Sequence, residues 1–180
     1  ILDNFWKPQM FDYDWNVLGG EHQGQFIKDW LAGEPSMSPC ATHDAVGAAV
    51  SVSSTYSAAY GGDNLVDGDC SDGGRWLSAV GDATPTATVT LAAPLDVTSV
   101  GVYSGYGAGS GTVLVDFTVE VHTSAGWQQV ASVTGNTQAA REIPVGVAGV
   151  DQLRLVVTNP STSTTEAKIA RVYELAVHAG

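Results

Sequence analysis

The 180-residue sequence is short of positive charge: 7 Lys and Arg stand against 19 Asp and Glu, for a formal charge of −12. Gripping a phosphate backbone needs a basic footprint, so nucleic acid is excluded as a partner and an anionic membrane is disfavoured. Charge of either sign is scarce, at 14% of residues, while 44% hydrophobic residues still supply a core. No run approaches the ~20 apolar residues that span a bilayer. The chain opens on Ile1 without a signal-peptide pattern, as a processed chain or an excerpt would. Cysteine is limited to Cys40 and Cys70, without the C-x-x-C spacing of a zinc or redox site. In a chain this rich in Thr, Ser and Gly they read as a disulfide made in an oxidising, extracellular compartment; the other reading is two unpaired thiols. A bridge would close a loop of about 30 residues, worth roughly 3–4 kcal/mol in the chain-entropy account.

Catalytic signatures are missing as well. His22, His43, His122 and His178 are scattered, with no H-E-x-x-H spacing. His43-Asp44 is an adjacent pair in a linker, and sequence neighbours rarely face one another usefully. No G-x-S-x-G elbow occurs, and "YGAGSG" (106–111) lacks the Lys and helix of a phosphate loop. Carboxylates are plentiful, but nothing sets two of them across a cleft. No enzyme is expected.

What is present falls into two unequal parts. Phe5, Trp6, Phe11, Tyr13, Trp15, Phe26 and Trp30 crowd the first thirty positions. Phe26 and Trp30, with Ile27 and Leu31, read as a short amphipathic helix stopped by Gly33. Residues 1–40 are therefore an aromatic N-terminal arm or the tail of a neighbouring domain, packing on the main domain or, through residues 1–35, on another subunit. Residues 41–180 carry about eight β-patterned runs separated by Gly, Pro, Asn and Ser. These are "AAVSVSSTYS", "TATVTL", "VTSVGVYSG", "TVLVDFTVEVHT", "GWQQVASVT", "REIPV", "DQLRLVVTN" and "ARVYELAVHA". In the fourth, Val113, Val115, Phe117, Val119 and Val121 alternate with Leu114, Asp116, Thr118 and Glu120, a period of two with one buried face. No helical segment separates the runs, so the expected fold is all-β, an antiparallel β-sandwich or jelly roll.

The loop "GGDNLVDGDCSDGGRW" (61–76) joins carboxylates to tight turns. Calcium takes six to eight oxygens from carboxylates and exposed carbonyls. Asp63, Asp67, Asp69 and Asp72 supply the former, and Gly68, Gly73 and Gly74 let the backbone turn inward. The loop is no EF-hand, because Asp72 stands where Gly is needed and Ser78 where Glu is needed. It is either a cation cage or an ordinary acidic turn.

The order of these landmarks resembles the discoidin, or coagulation factor 5/8 C-terminal, domain, and within it carbohydrate-binding module family 32. The likeness is carried by "VSVSSTYSAAYGGDNLVDGD…RW", "TATVTLAAPLDVTSVGVY", the hairpin at Gly126-Trp127 in "VDFTVEVHTSAGWQQV", and the closing "IARVYELAVHAG". It covers about residue 46 to the C-terminus and leaves the first 40 residues outside. The resemblance implies a structural calcium held by the Asn64 carbonyl, the Asp67 side chain, the Asp69 carbonyl and Glu174, with Tyr173 adding a carbonyl. The family usually has Thr or Ser where this chain has Gly74, so Asp72 or Ser71 would take that place. It also implies noncatalytic glycan binding on loops at one end of the sandwich, as a module of a secreted or cell-surface protein, beside a catalytic domain. The alternative is a structural subunit of an extracellular assembly, docked through its arm. Aromatic faces bind the apolar side of a sugar ring and fixed polar groups bind its hydroxyls. The candidates are Tyr60, Arg75, Tyr106, Asn159 and Lys168, with Tyr56 and Tyr103 near them and Trp76 in the core. The loop "NPSTSTTEAK" before the last strand has no aromatic, so a galactose-type site does not transfer directly.

Overall fold

A computed structural model describes residues 42–69, 74–105 and 112–180. The chain divides into two units, and these residues belong to the second, Pro39–Gly180. The aromatic arm with its expected helix, both cysteines, Ser71, Asp72 and Tyr106 lie outside the described residues.

The described residues form seven strands: β1 (Ala49–Val52), β2 (Trp76–Leu77), β3 (Thr86–Ser104), β4 (Asp116–Thr123), β5 (Gly126–Val133), β6 (Ala140–Asn159) and β7 (Arg171–Ala179). Two 3-10 turns, Ala58–Tyr60 and Gly62–Leu65, lead into the acidic loop. Every pairing is antiparallel, in the order β2-β7-β3-β6-β4-β5, with β1 also on β3.

The expected all-β sandwich is the observed one, but the strand count differs for an instructive reason. "TATVTL" and "VTSVGVYSG" are one strand, β3, and "REIPV" and "DQLRLVVTN" are one strand, β6. Pro94 looks like a strand breaker, yet it falls in the unpaired stretch between Thr90 and Leu95, where no ladder N–H is required. Across from it, Gly146 and Gly149 take positive φ (64° and 68°), bending β6 where β3 bends. The first half of β3 pairs with β1 and the far half of β6; its second half pairs with β7 and the near half of β6. The hydrogen-bonded ladder thus folds over on itself into a jelly-roll sandwich.

The inward alternation fills one core. Phe117, Val119 and Val121 of β4 meet Val89, Val100 and Val102 of β3, Leu153 and Leu155 of β6, and Leu175 and Val177 of β7. The alternation predicted from Val113 begins later than expected, because β4 starts at Asp116 and Val113–Val115 are buried ahead of it. Trp76 is fully buried, and its indole N–H donates to the Ser54 carbonyl (2.9 Å). Strand β2 is only two residues long, too short to show a period, yet it seats the largest core side chain.

Candidate functional site

The arginine at the end of the acidic loop is not the exposed hydrogen-bonding arm that a surface residue would be. Arg75 is 5% exposed, and its guanidinium lies 5.9 Å from the Tyr60 ring centroid and 5.5 Å from that of Tyr173. Its Nη1 donates to the Tyr173 hydroxyl (3.4 Å). Cation–π contact and burial fix the planar group between two rings. Tyr60 is half-buried and presents the accessible side of this stack. Tyr103 and Tyr173 form a small buried cluster with Ala176. Burial, with the Glu142 and Glu174 carboxylates, pushes the Tyr103 phenol up to about 12. Tyr56 is exposed in the loop after β1.

The remaining candidates stand on other elements. Asn159 ends β6 and its carbonyl accepts the Val115 N–H (2.9 Å). Lys168 is exposed in the β6–β7 loop, which Arg171 ties down by donating to the Ala167 and Ile169 carbonyls. Tyr60 and Arg75 are thus the pair brought into contact.

The carboxylates of the acidic loop approach the last strand. In β7 the register slips between Tyr103/Ser104 and their partners, so Tyr173 is an extra residue and Val172 and Leu175 both face the core. That bulge re-aims Glu174 toward the loop. Its side chain has no exposure; Oε1 accepts the Gly68 N–H (3.4 Å) and lies 2.6 Å from His43 Nε2, while Oε2 is buried with no partner among the described residues. Burial chiefly raises the Glu174 carboxyl above its ordinary range, with the charge of Asp67 adding to it against the His43 and Gly68 hydrogen bonds. Asp67 is raised too, first by burial and then by Asp69. Asp67 Oδ1 accepts the Asp69 N–H (2.8 Å), closing the turn. The Asn64 amide donates to the Ala59 and Arg75 carbonyls (3.2 and 2.9 Å), pinning the two ends of the loop together. A Cβ on Gly74 would sit 2.8 Å from the Asp69 carbonyl oxygen, so this position accepts no larger residue without movement.

These donors fit a hard cation in one respect that matters: a buried carboxylate oxygen lacks a partner among the described residues, and carboxylates beside it repel one another. Among the described residues no three His, Cys, Asp or Glu side chains cluster as metal ligands. A cage here would therefore take much of its oxygen from carbonyls.

A sequence profile described as the F5/8 type C domain matches residues 49–175. The chain belongs to the F5/8 type C family. Its fold is similar to that of the family 32 carbohydrate-binding module from Streptococcus pneumoniae EndoD, with a TM-score of 0.67 and 19% identity over 77% of this chain and 100% of that one. It is similar also to chitosan-binding module 2 of a chitosanase/glucanase from Paenibacillus sp. IK-5, in complex with chitotriose (TM-score 0.62, 21% identity, 75% and 98% covered). A third is CpGH89CBM32-4 from Clostridium perfringens, in complex with GlcNAc-α-1,4-galactose (TM-score 0.60, 22% identity, 76% and 93% covered). A search of curated proteins found no match.

Two features of this F5/8 domain escaped the sequence. His43, ahead of the matched span, is no linker residue but is buried on Glu174. Only the three-dimensional meeting of the lead-in with the last strand reveals it. The second is a polar recess of about 420 Å³ on the β5–β6 loop, lined by Ser132, Thr134, Gly135, Thr137, Gln138 and Arg141 among others, with no aromatic residue. Trp127, at the other end of β5, is 38% exposed under the Arg154 guanidinium at 4.1 Å. No helix among the described residues is long and apolar enough to cross a membrane.

Proposed function

We propose that this F5/8 domain is a noncatalytic glycan-binding module that works outside the cell and carries one structural calcium ion. The observation that carries glycan binding is the Tyr60–Arg75 pair: an accessible ring backed by a guanidinium that burial holds rigid. An aromatic face held in place by a buried cation needs little ordering when a sugar arrives. The shared fold with modules crystallised with chitotriose and GlcNAc-α-1,4-galactose supports this choice of ligand class. Tyr56, Asn159, Lys168 and Tyr106 are further candidates for sugar contacts. Affinity would be modest per site and raised by several modules or by a linked catalytic domain. Calcium would be held by Asp67, Glu174 and carbonyls of the Asn64–Asp69 turn, with Asp72 completing the set, and would neutralise the buried carboxylate.

A glycan array and pull-downs on insoluble polysaccharides test the function. Binding that falls at least tenfold in Tyr60→Ala supports it; blank arrays with folded wild-type protein would overturn it. For calcium, an unchanged melting temperature after chelation would overturn the ion.

A further inference from the structure

The Glu174 corner contains a residue that the cation set does not use. His43 lies six residues ahead of the family match, in a segment docked along β7: the Asp44 N–H donates to the Val177 carbonyl (2.8 Å), and Asp44 Oδ2 accepts the Ala179 N–H (2.8 Å). The hydrogen bonds around the imidazole determine its tautomer. Two backbone N–H groups, of Ala45 (3.2 Å) and Val177 (3.4 Å), point at Nδ1, so Nδ1 accepts. The proton is then on Nε2, which donates to Glu174 Oε1 at 2.6 Å. An imidazole in that tautomer carries no charge. Among the described residues the groups donating to Glu174, this ring and the Gly68 N–H, are both neutral, and Oε2 is buried with no partner. A buried carboxylate held by neutral donors on one oxygen and bare on the other is oriented but not neutralised.

We propose that His43 is a positioning residue for the cation site: it locks Oε1 of Glu174, leaves Oε2 to the cation, and couples the ion to docking of the 43–47 segment. This rests on the calcium reading above. Partners that hold a metal-binding group in place typically change affinity by about 10–100-fold when lost. Because the same ring also accepts the Val177 and Ala45 N–H groups, filling the site tightens the segment, and loosening the segment weakens the site.

The test uses the full chain, calcium chloride as the probe, and isothermal titration calorimetry. In His43→Asn the side-chain oxygen takes the place of Nδ1 and keeps an acceptor for the segment, but the donor to Glu174 is gone. In His43→Gln an amide N–H reaches toward Glu174 in place of Nε2. The expected result is calcium affinity at least tenfold weaker in His43→Asn and restored to within about threefold in His43→Gln. Hydrogen exchange at the Val177 amide should slow about tenfold on adding calcium to the wild type. Wild-type affinity in His43→Asn would overturn positioning while leaving calcium standing, as would equal losses in both variants. No calcium binding by the wild type would overturn both. Glu174→Gln guards against variants that fail to fold. In chelator it should melt at or above the wild type, since a bare buried charge is removed, and gain nothing from calcium. A lower melting temperature in chelator would mean the charge is already balanced, and would overturn the proposal.

Discussion

Among the described residues, two histidine–carboxylate contacts have nearly the same length. His43 Nε2 lies 2.6 Å from Glu174 Oε1, and His122 Nδ1 lies 2.7 Å from Asp151 Oδ1. Both side chains of the first pair are 0% exposed; those of the second are 29% and 39% exposed. The second pair stands beside Trp127, whose ring is 5.2 Å from that of His122, and near the Arg154–Glu120 ion pair, so charges of both signs and water surround it. The first has its carboxylate backed by Asp67 and one oxygen without a donor. Separation alone says nothing about what a contact contributes. Solvent access and the partners of the other atoms decide it.

The largest expected effect lies in the buried corner. Protein saturated with calcium at about 100 times its dissociation constant should lose about 2.7 kcal/mol on chelation. For a domain of this size that is a fall of about 8 °C by differential scanning calorimetry. Asp151→Ala should leave that calcium-dependent difference intact, and a reduced one would erase the contrast between the pairs. Next comes Gly74→Ala, which crowds the Asp69 carbonyl and should cost about 1–3 kcal/mol in thermal melts, more with calcium than without.

Asp82 supplies an intermediate case, a carboxylate that is fully served. Burial pushes it up, but the Ser53 and Ser54 hydroxyls and the Thr84 N–H outweigh this and hold it below its ordinary range. A carboxyl lowered by folding stabilises above its unfolded value of about 3.9 and loses that contribution as pH falls through the lower folded value. Asp82→Ala should therefore cost about 1–2 kcal/mol at pH 7 in urea titrations, with the gap closing below about pH 4. The smallest effect belongs to Asp151→Ala itself, below about 1 kcal/mol, and it should shrink further in about 1 M salt.

The sandwich and most of its strands were legible because a half-buried strand writes its period into the sequence, as Phe117, Val119 and Val121 do. Joins were harder. Pro94, Gly146 and Gly149 are the residues of turns, and only the matching bends of two paired strands make them interior positions. The approach of the acidic loop to Glu174 was expected from family likeness, and the Gly68–Glu174 hydrogen bond brings the two together. Arg75 was readable as a candidate, but not its near-complete burial, which depends on rings 15 and 98 residues away in sequence. His43 was unreadable for the same reason: its partner is 131 residues on.

The continuity of β3 and β6 through both layers also bears on how the chain unfolds. Neither layer owns its central strands, so neither can melt and leave the other standing with a complete ladder. Heat or denaturant should take the whole sandwich apart in a single cooperative transition. Refolding must bring together strands tens of residues apart before either layer has an interior, which places its rate in the slow range of all-β domains, milliseconds to seconds.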